Sequence, residues 1–531
     1  MNQIYPMVAK TFQGLEDVLS EELIALGAQN VEAGLRMVTF EGDLEMMYKA
    51  NLCCRTALRI LKPISKFTAS NSDELYDMVR DFEWDQFLTP DKTFAIDSTV
   101  NSSEFTHSRF VTYRVKDGIA DYFNDKYGRR PSIRLNGADI NLNVHIAEDR
   151  VTISLDSSGE SLNKRGYRVA QTEAPINEVL AAGIILKTGW RGESDFVDPM
   201  CGSGTFLIEA ALIAANINPG IFRQHYAFET WPDFNKELFE ELYNDDSQER
   251  EFAHKIYGGD IAQAAIAAAR KNIKAAGVES MVELECKPFD TWQNPPADGI
   301  LITNPPYDVR INPTDIGGLY ESIGDTLKQQ FKGYHAWILG YKDEHFREIG
   351  LKASVKFPIL NGSLECELRE YVLFDGKYNE FKTAGGSVQN KTFNRDAKPK
   401  VRRMTDEEWE RETRKFGNDR RPSDRRRDDK KGGRDFKKPF GKDDRKPFRK
   451  DDRRPFDRDR RNDDRRNDDR EEKREWKKDT RSVHQSRKDI EITNKGPKLP
   501  AESTTVITKA LMRSRKSWYN KNKPAEENNE D

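Results

Sequence analysis

Apolar positions recur at helical spacing from Gly14 to Leu26, where Leu15, Val18, Leu19, Leu23 and Leu26 share one face, so a helix is expected there. Period-two runs on either side, Tyr5 to Lys10 and Leu35 to Phe40, predict strands. A second helix is expected from Asp43, a good N-cap residue, to about Leu61. Residues 1–60 therefore read as a small α+β unit. Residues 61–160 read as a second, with a helix over Ser72 to Arg80, a strand over Thr93 to Val100 and a helix over Ser108 to Tyr127. It closes on a hairpin, Asn141 to Ala147 and Val151 to Asp156, joined through Glu148, Asp149 and Arg150.

The pattern changes after the polar, basic stretch Ser161 to Arg168. Strand and helix then alternate: helix Pro175 to Leu186, strand Asp195 to Val197, helix Gly204 to Asn216, strand Lys255 to Gly258, helix Ala262 to Ala276 and strand Met281 to Cys286. Strand Asp298 to Thr303, helix Ile316 to Phe331 and strand Ala336 to Leu339 follow. That order predicts an α/β fold with a doubly wound, mainly parallel sheet over residues 161–385. Asn361-Gly362, flanked by Val355 to Leu360 and Leu364 to Phe374, predicts that the sheet ends on an antiparallel hairpin.

Periodicity stops near Lys391. From there apolar residues nearly vanish, and too little surface remains to offset a backbone ordering cost of about 1–2 kcal/mol per residue, so 391–531 is expected to be a disordered, charged tail. The net charge of −3 hides an asymmetry: Arg395 to Asp479 carries 35 Lys+Arg against 25 Asp+Glu, so the rest of the chain is acidic. Pro-Phe pairs at 439, 447 and 455 recur every eight residues, a low-complexity repeat too sparse in apolar groups to build a shared core. Five cysteines form no C-x-x-C pair and no histidine cluster completes a zinc site, so no metal is expected. Scattered thiols suit a reducing compartment. With no leader-like N-terminus and no run of 18 apolar residues, neither export nor a membrane is expected, and the cytoplasm is the expected location.

Chemistry concentrates at strand ends of the third unit. FVDPMCGSGTFLIEAAL, Phe196 to Leu212, sets Asp198 at a strand end, then Gly202-Ser203-Gly204, then an amphipathic helix. Glycines allow close backbone approach to a ligand and the helix N-terminus offers free N–H groups. No Gly-Lys-Ser/Thr follows, which argues against a phosphate loop. Asp260 ends the next strand, where a carboxylate accepts ribose hydroxyls or caps the helix that follows; Asp290, beside Phe289, stands where an adenine amine is read or is an ordinary loop acid. Asn304-Pro305-Pro306-Tyr307 is the sharpest signal. Two prolines stop the strand and fix φ near −65°, which aims the Asn304 side-chain oxygen and the Pro305 carbonyl at one donor beside the Tyr307 ring. Two acceptors and an aromatic wall are what an exocyclic amine on a planar base requires. Cys201 reads as a small packed residue, not a nucleophile.

VDPMCGSGT and TNPPY at this separation resemble motifs I and IV of class I S-adenosylmethionine-dependent amino-methyltransferases. With LNKRGYR, EAPINEVLAAGIIL, GLYESIGDTLK and ILNGSLECEL, residues 1 to about 380 resemble the bacterial large-subunit (23S) ribosomal RNA guanine-N2 methyltransferases. The resemblance implies a ferredoxin-like N-terminal unit, a THUMP RNA-binding domain and a class I methyltransferase domain. It implies S-adenosylmethionine held by Pro175, Asp198, Pro199, Gly202, Ser203, Gly204, Asp260 and Asp290, and catalysis at Asn304, Pro305, Pro306 and Tyr307. Asp308 stands where the family usually has glycine, and no second glycine loop or NPPY is present, so one methylation activity is implied.

Candidate contacts to ribosomal RNA are His107, Arg109, Arg114 and Lys116 around the long second-unit helix, and Lys164, Arg165 and Arg168 in the interdomain stretch. The tail's cations and phenylalanines suit non-specific phosphate contact. Competing readings are a transfer RNA guanine-N2 methyltransferase, a DNA adenine-N6 methyltransferase, and a non-catalytic ribosome-assembly factor. Nothing resembles a DNA target-recognition domain, and a pure binder has no need of Asp198, Gly202, Gly204 and Asn304.

Overall fold

Two sheets organise the chain. The computed structural model describes residues 3–383, save 174, 294, 296–298, 307–312, 342, 363 and 377, together with residues 404–416. The first sheet is built from β1 (Tyr5–Lys10), β2 (Gln29–Gly34), β3 (Met37–Gly42), β4 (Arg59–Thr68), β5 (Thr93–Asn101), β6 (Ser132–Ile133), β7 (Ile140–Ala147) and β8 (Arg150–Asp156). Its order is β2-β3-β1-β4-β8-β7-β5-β6. Helices α1 (Glu16–Ala25), α2 (Leu44–Cys53), α3 (Ser72–Arg80) and α4 (Ser108–Tyr127) accompany it.

The helix expected from Asp43 to Leu61 is instead α2 followed by β4. Asp43 caps α2 as expected, accepting from Met46 N at 3.0 Å. Beyond Cys54 the backbone turns extended, and Arg59–Thr68 pairs antiparallel with β1 on one side and β8 on the other. Pairing on both edges overrides the helix-compatible spacing of Ala57, Ile60, Leu61 and Ile64. The boundary drawn at residue 60 thus falls inside a strand that both N-terminal units share. Strand β2, absent from the sequence reading, is short of buried side chains and so lacks a period-two signature.

The second sheet contains β9 (Asp195–Asp198), β10 (Ile256–Asp260), β11 (Val282–Cys286), β12 (Gly299–Thr303), β13 (His335–Gly340), β14 (Val355–Asn361) and β15 (Leu364–Val372), in the order β11-β10-β9-β12-β13-β15-β14. The first five are mutually parallel, and β15 then runs antiparallel to both β13 and β14. Around it lie α5 (Glu178–Thr188), α6 (Thr205–Ala214), α8 (Gln263–Ala275), α9 (Pro313–Gln330), α10 (Asp343–Glu348) and α11 (Tyr378–Thr383), while α7 (Lys236–Asn244) packs against α2 and the first core through Phe239 on Tyr48. This is the expected doubly wound sheet with its terminal hairpin. Parallel strands buried on both faces explain the unbroken apolar run of Phe196-Val197 and Ile300 to Ile302.

Within the segment expected to lack structure, α12 (Asp406–Lys415) forms a helix. A capping box starts it: Glu408 N donates to Thr405 Oγ1 and Thr405 N to Glu408 Oε2. Trp409 Nε1 donates to Thr68 Oγ1 at 3.3 Å, and Lys66 and Arg150 flank its ring at 5.9 and 5.6 Å. Those contacts order ten residues that composition alone assigns to a disordered tail. The rest of the tail lies outside the described residues.

Candidate active site

The C-terminal ends of β9, β10, β11 and β12 open into one cleft of about 1160 Å³, the edge at which open α/β sheets bind ligands. Pro175, Asp198, Pro199, Gly202, Ser203, Asp260, Asp290, Asn304, Pro305 and Pro306 all line it. Gly204 stands just behind, and Tyr307 and Asp308 lie outside the described residues.

Backbone geometry explains the glycines. Gly202 and Gly204 have φ of 51° and 83°, in the left-handed region that side chains disfavour. A Cβ at Gly204 would also sit 3.2 Å from the Ala269 methyl, so glycine lets α6 approach α8. The loop is held by Cys201 N donating to Gly259 O at 2.8 Å and Gly202 N donating to Asp260 Oδ2 at 3.0 Å. Asp260 Oδ1 accepts from Ala262 N at 2.8 Å. Its carboxylate therefore ties the glycine loop to the residue that opens α8 while lining the cleft. Asp290 is exposed in a single 3₁₀ turn, Phe289–Thr291, whose Phe289 is buried. Cys201 is buried among apolar side chains, and burial pushes its thiol well up, which suits packing and not nucleophilic attack.

Asp198 is 1 % exposed. Its Oδ1 accepts from Thr303 Oγ1 at 2.9 Å and from Met200 N at 3.2 Å. Burial pushes the carboxyl up to about 7, the two hydrogen bonds oppose the shift, and Asp260 adds to it. Thr303 closes β12 beside β9, so one hydrogen bond links the glycine-loop acid to the residue before Asn304.

Two further side chains brace the glycine loop. Arg168 donates from Nε to Glu178 Oε1 at 2.6 Å, from Nη1 to Ser203 Oγ at 3.0 Å, and from Nη2 to Thr205 Oγ1 at 3.0 Å and Ile176 O at 3.2 Å. Asn272, fully buried in α8, accepts from Val169 N and Ala170 N and donates to Ala170 O and Ser203 O, all at 2.9 Å. Together they lash the segment 168–176 to the glycine loop. A polar residue in the apolar stripe of Ala265, Ile266, Ala269 and Ile273 is the signal that points to Asn272.

These bonds correct two expected RNA contacts. Arg168 has spent its donors on the glycine loop and α5. Arg165 is 2 % exposed, donates to Leu162 O and Arg55 O, and pairs with buried Glu209. Neither reaches RNA without giving up these contacts, which for Arg165 cross to Arg55 of the N-terminal part; a chain of basic residues before a domain looks the same in sequence whether it faces inward or outward. Arg114 is partly committed, donating to Ser72 O and Asp73 over the Tyr76 ring. Arg109, beside Tyr113, and Lys164, in a surface pair with Glu160, remain exposed. Among the described residues no His/Cys/Asp/Glu group is arranged to hold a metal, and no helix is long and apolar enough to cross a membrane.

Residues 6–61 match an RlmL ferredoxin-like domain, 69–156 a THUMP domain and 165–370 an RMKL-like methyltransferase domain. Over 372 residues the chain is 37 % identical to "Putative RNA methyltransferase slr0064" of Synechocystis sp., spanning 70 % of this chain and 97 % of that one. The chain belongs to this RNA methyltransferase family. It is also 39 % identical over 380 residues to "Ribosomal RNA large subunit methyltransferase K/L" of Syntrophotalea carbinolica, which covers 69 % of this chain. This methyltransferase spans about half the length of the K/L relatives it matches, 53 % in that case. Among solved structures, SMU.472, "a putative methyltransferase complexed with SAH", is 32 % identical with a TM-score of 0.64, covering 71 % of this chain and all of that one. A protein named "predicted N6-adenine-specific DNA methylase" from Listeria monocytogenes is 31 % identical with a TM-score of 0.63, covering 70 % of this chain and 97 % of that one.

Proposed function

We propose that this methyltransferase transfers a methyl group from S-adenosylmethionine to the exocyclic N2 amine of a guanine in large-subunit ribosomal RNA, in the cytoplasm. The observation that carries the reading is the charge of the cleft. Glu173, Asp198, Asp260 and Asp290 line it, and no lysine or arginine stands among the described lining residues. Such a wall repels the phosphates of a dinucleotide or nucleoside triphosphate and suits a nucleoside that carries a sulfonium and an ammonium. SAH in the SMU.472 complex supports the same class of ligand.

The cofactor would lie across the glycine loop, within reach of Pro175, Asp198, Asp260 and Asp290, and supplies an electrophilic methyl on sulfur. The chain's part is to present the acceptor. A guanine amine is a weak nucleophile because its lone pair delocalises into the ring. Asn304 Oδ1 and the Pro305 carbonyl, fixed at the end of β12, would accept its two N–H bonds and favour a pyramidal nitrogen. Holding that nitrogen in line with the methyl would lower the barrier by up to about 7–11 kcal/mol. The new ammonium-like amine then loses its proton to water without a dedicated base.

The names of the K/L relatives and the THUMP match support ribosomal RNA as the substrate. The Listeria protein's name favours a second reading, adenine N6 in DNA. Incubation with labelled S-adenosylmethionine and undermodified ribosomal RNA, transfer RNA or DNA separates them. The first reading expects N2-methylguanine in ribosomal RNA; label in adenine, or in DNA only, would sink it.

A further inference from the structure

The two ends of the cleft differ in character. All four lining carboxylates lie on the segment before α5 or at the ends of β9, β10 and β11. The other end is uncharged among its described residues. Beyond Asn304 and the two prolines it is walled by Leu319 and Ser322 of α9 and by Asn361 and Leu364 of the terminal hairpin.

Topology puts the hairpin turn there. β15 reverses the direction of β13, and β14 reverses it again, so β14 runs the same way as β12. Its last residue, Asn361, therefore emerges at the same sheet edge as Asp198, Asp260 and Asn304. Gly362 makes the turn with φ of 65°. Asn361 and Ser322 are half-buried, and among the described residues neither side chain has a hydrogen-bond partner.

An amide facing a neutral, partly apolar space reads the edge of an uncharged heterocycle better than an anion. Its oxygen accepts one N–H while its NH₂ donates to an adjacent oxygen, the complement of a ring N–H beside a carbonyl. Guanine presents that pair, N1–H and O6, next to the N2 amine. Adenine presents a ring acceptor beside its amine and has no O6. Leu319 and Leu364 supply apolar surface for the ring faces.

We propose that Asn361 is the residue that selects guanine, its Oδ1 accepting from N1–H and its Nδ2 donating to O6, while N2 points to Asn304 and the Pro305 carbonyl. Ser322 offers a further hydroxyl on the α9 side of the same pocket. This assignment rests on the guanine-N2 reading above.

The test replaces the mapped target guanine by 2-aminopurine in an RNA fragment. That base keeps the 2-amine and lacks both N1–H and O6. Wild-type enzyme should prefer guanine by about 10- to 100-fold in kcat/KM. Asn361→Ala should lower the guanine rate towards the 2-aminopurine rate while leaving the latter unchanged, and SAH affinity by calorimetry should stay at the wild-type value, which also reports that the variant is folded. Equal loss on both bases, or undiminished preference for guanine, would overturn the assignment. Wild-type methylation of adenine and not guanine would instead overturn the functional reading beneath it, and Asn361's role with it.

Discussion

Thr303 Oγ1 donates to Asp198 Oδ1 across the β9–β12 pair at 2.9 Å, with both side chains buried. The bond joins the acid of the glycine loop to the strand end that carries Asn304, so the two halves of the site share one rigid reference. Thr303→Val should cost about 1–3 kcal/mol in chemical denaturation, because a buried carboxyl loses a donor it cannot replace with water. Thr303→Ser, which keeps the hydroxyl, should recover most of that stability.

Asp198 also gives the ligand-free protein a pH signature. Burial raises its carboxyl from 3.8 to about 7 in the fold, so between these values the folded state holds a proton that the unfolded state has released. Its contribution is fully present below the unfolded value and is lost as pH rises towards about 7. Thermal unfolding of wild type at pH 5.5 and pH 8 should therefore show a loss of stability that is smaller in Asp198→Asn. An identical pH dependence in the variant would contradict the burial argument.

Arg168 and Asn272 are positioning residues for the glycine loop. Asn272→Ala removes four buried hydrogen bonds between α8, the 168–170 segment and Ser203, and should weaken SAH binding by about tenfold or more. Arg168→Lys, which cannot fan across Glu178, Ser203 and Thr205, should act in the same direction. RNA affinity in filter binding should change little in either, whereas a role in RNA contact would reverse that pattern.

How far the sequence reached depended on where the information sits. Glycine loop and double proline are legible because they impose backbone geometry by themselves, and α3 and α4 fall at their expected residues because one face of each is apolar and caps are local. Arg168 looks like a free surface cation in the sequence because its partners stand 8 to 37 positions away and become neighbours only after folding. The same holds for β4, whose strand state is decided by pairing with β1 and β8. Asn272 belongs to no motif, and Asn361 shows in the sequence only as part of a turn; what each touches is decided by the packing of α8 and by the sheet edge at which the hairpin emerges.

The tail makes a separate prediction. α12 packs on the first sheet through Trp409, Lys66 and Arg150, far in sequence from every cleft residue. Truncation before residue 391 should leave methyl transfer to naked RNA substantial at low salt, measured by label incorporation. Complete loss of transfer would mean that the tail belongs to the catalytic machinery.

The central claim is that the corner after β12 presents an amine to the methyl donor, and Asn304→Ala tests it most directly. Calorimetric SAH affinity should remain near wild type while the single-turnover methylation rate on RNA falls by about 10²- to 10³-fold. A parallel loss of SAH affinity and rate would contradict the claim and make Asn304 a structural residue of the cofactor cleft.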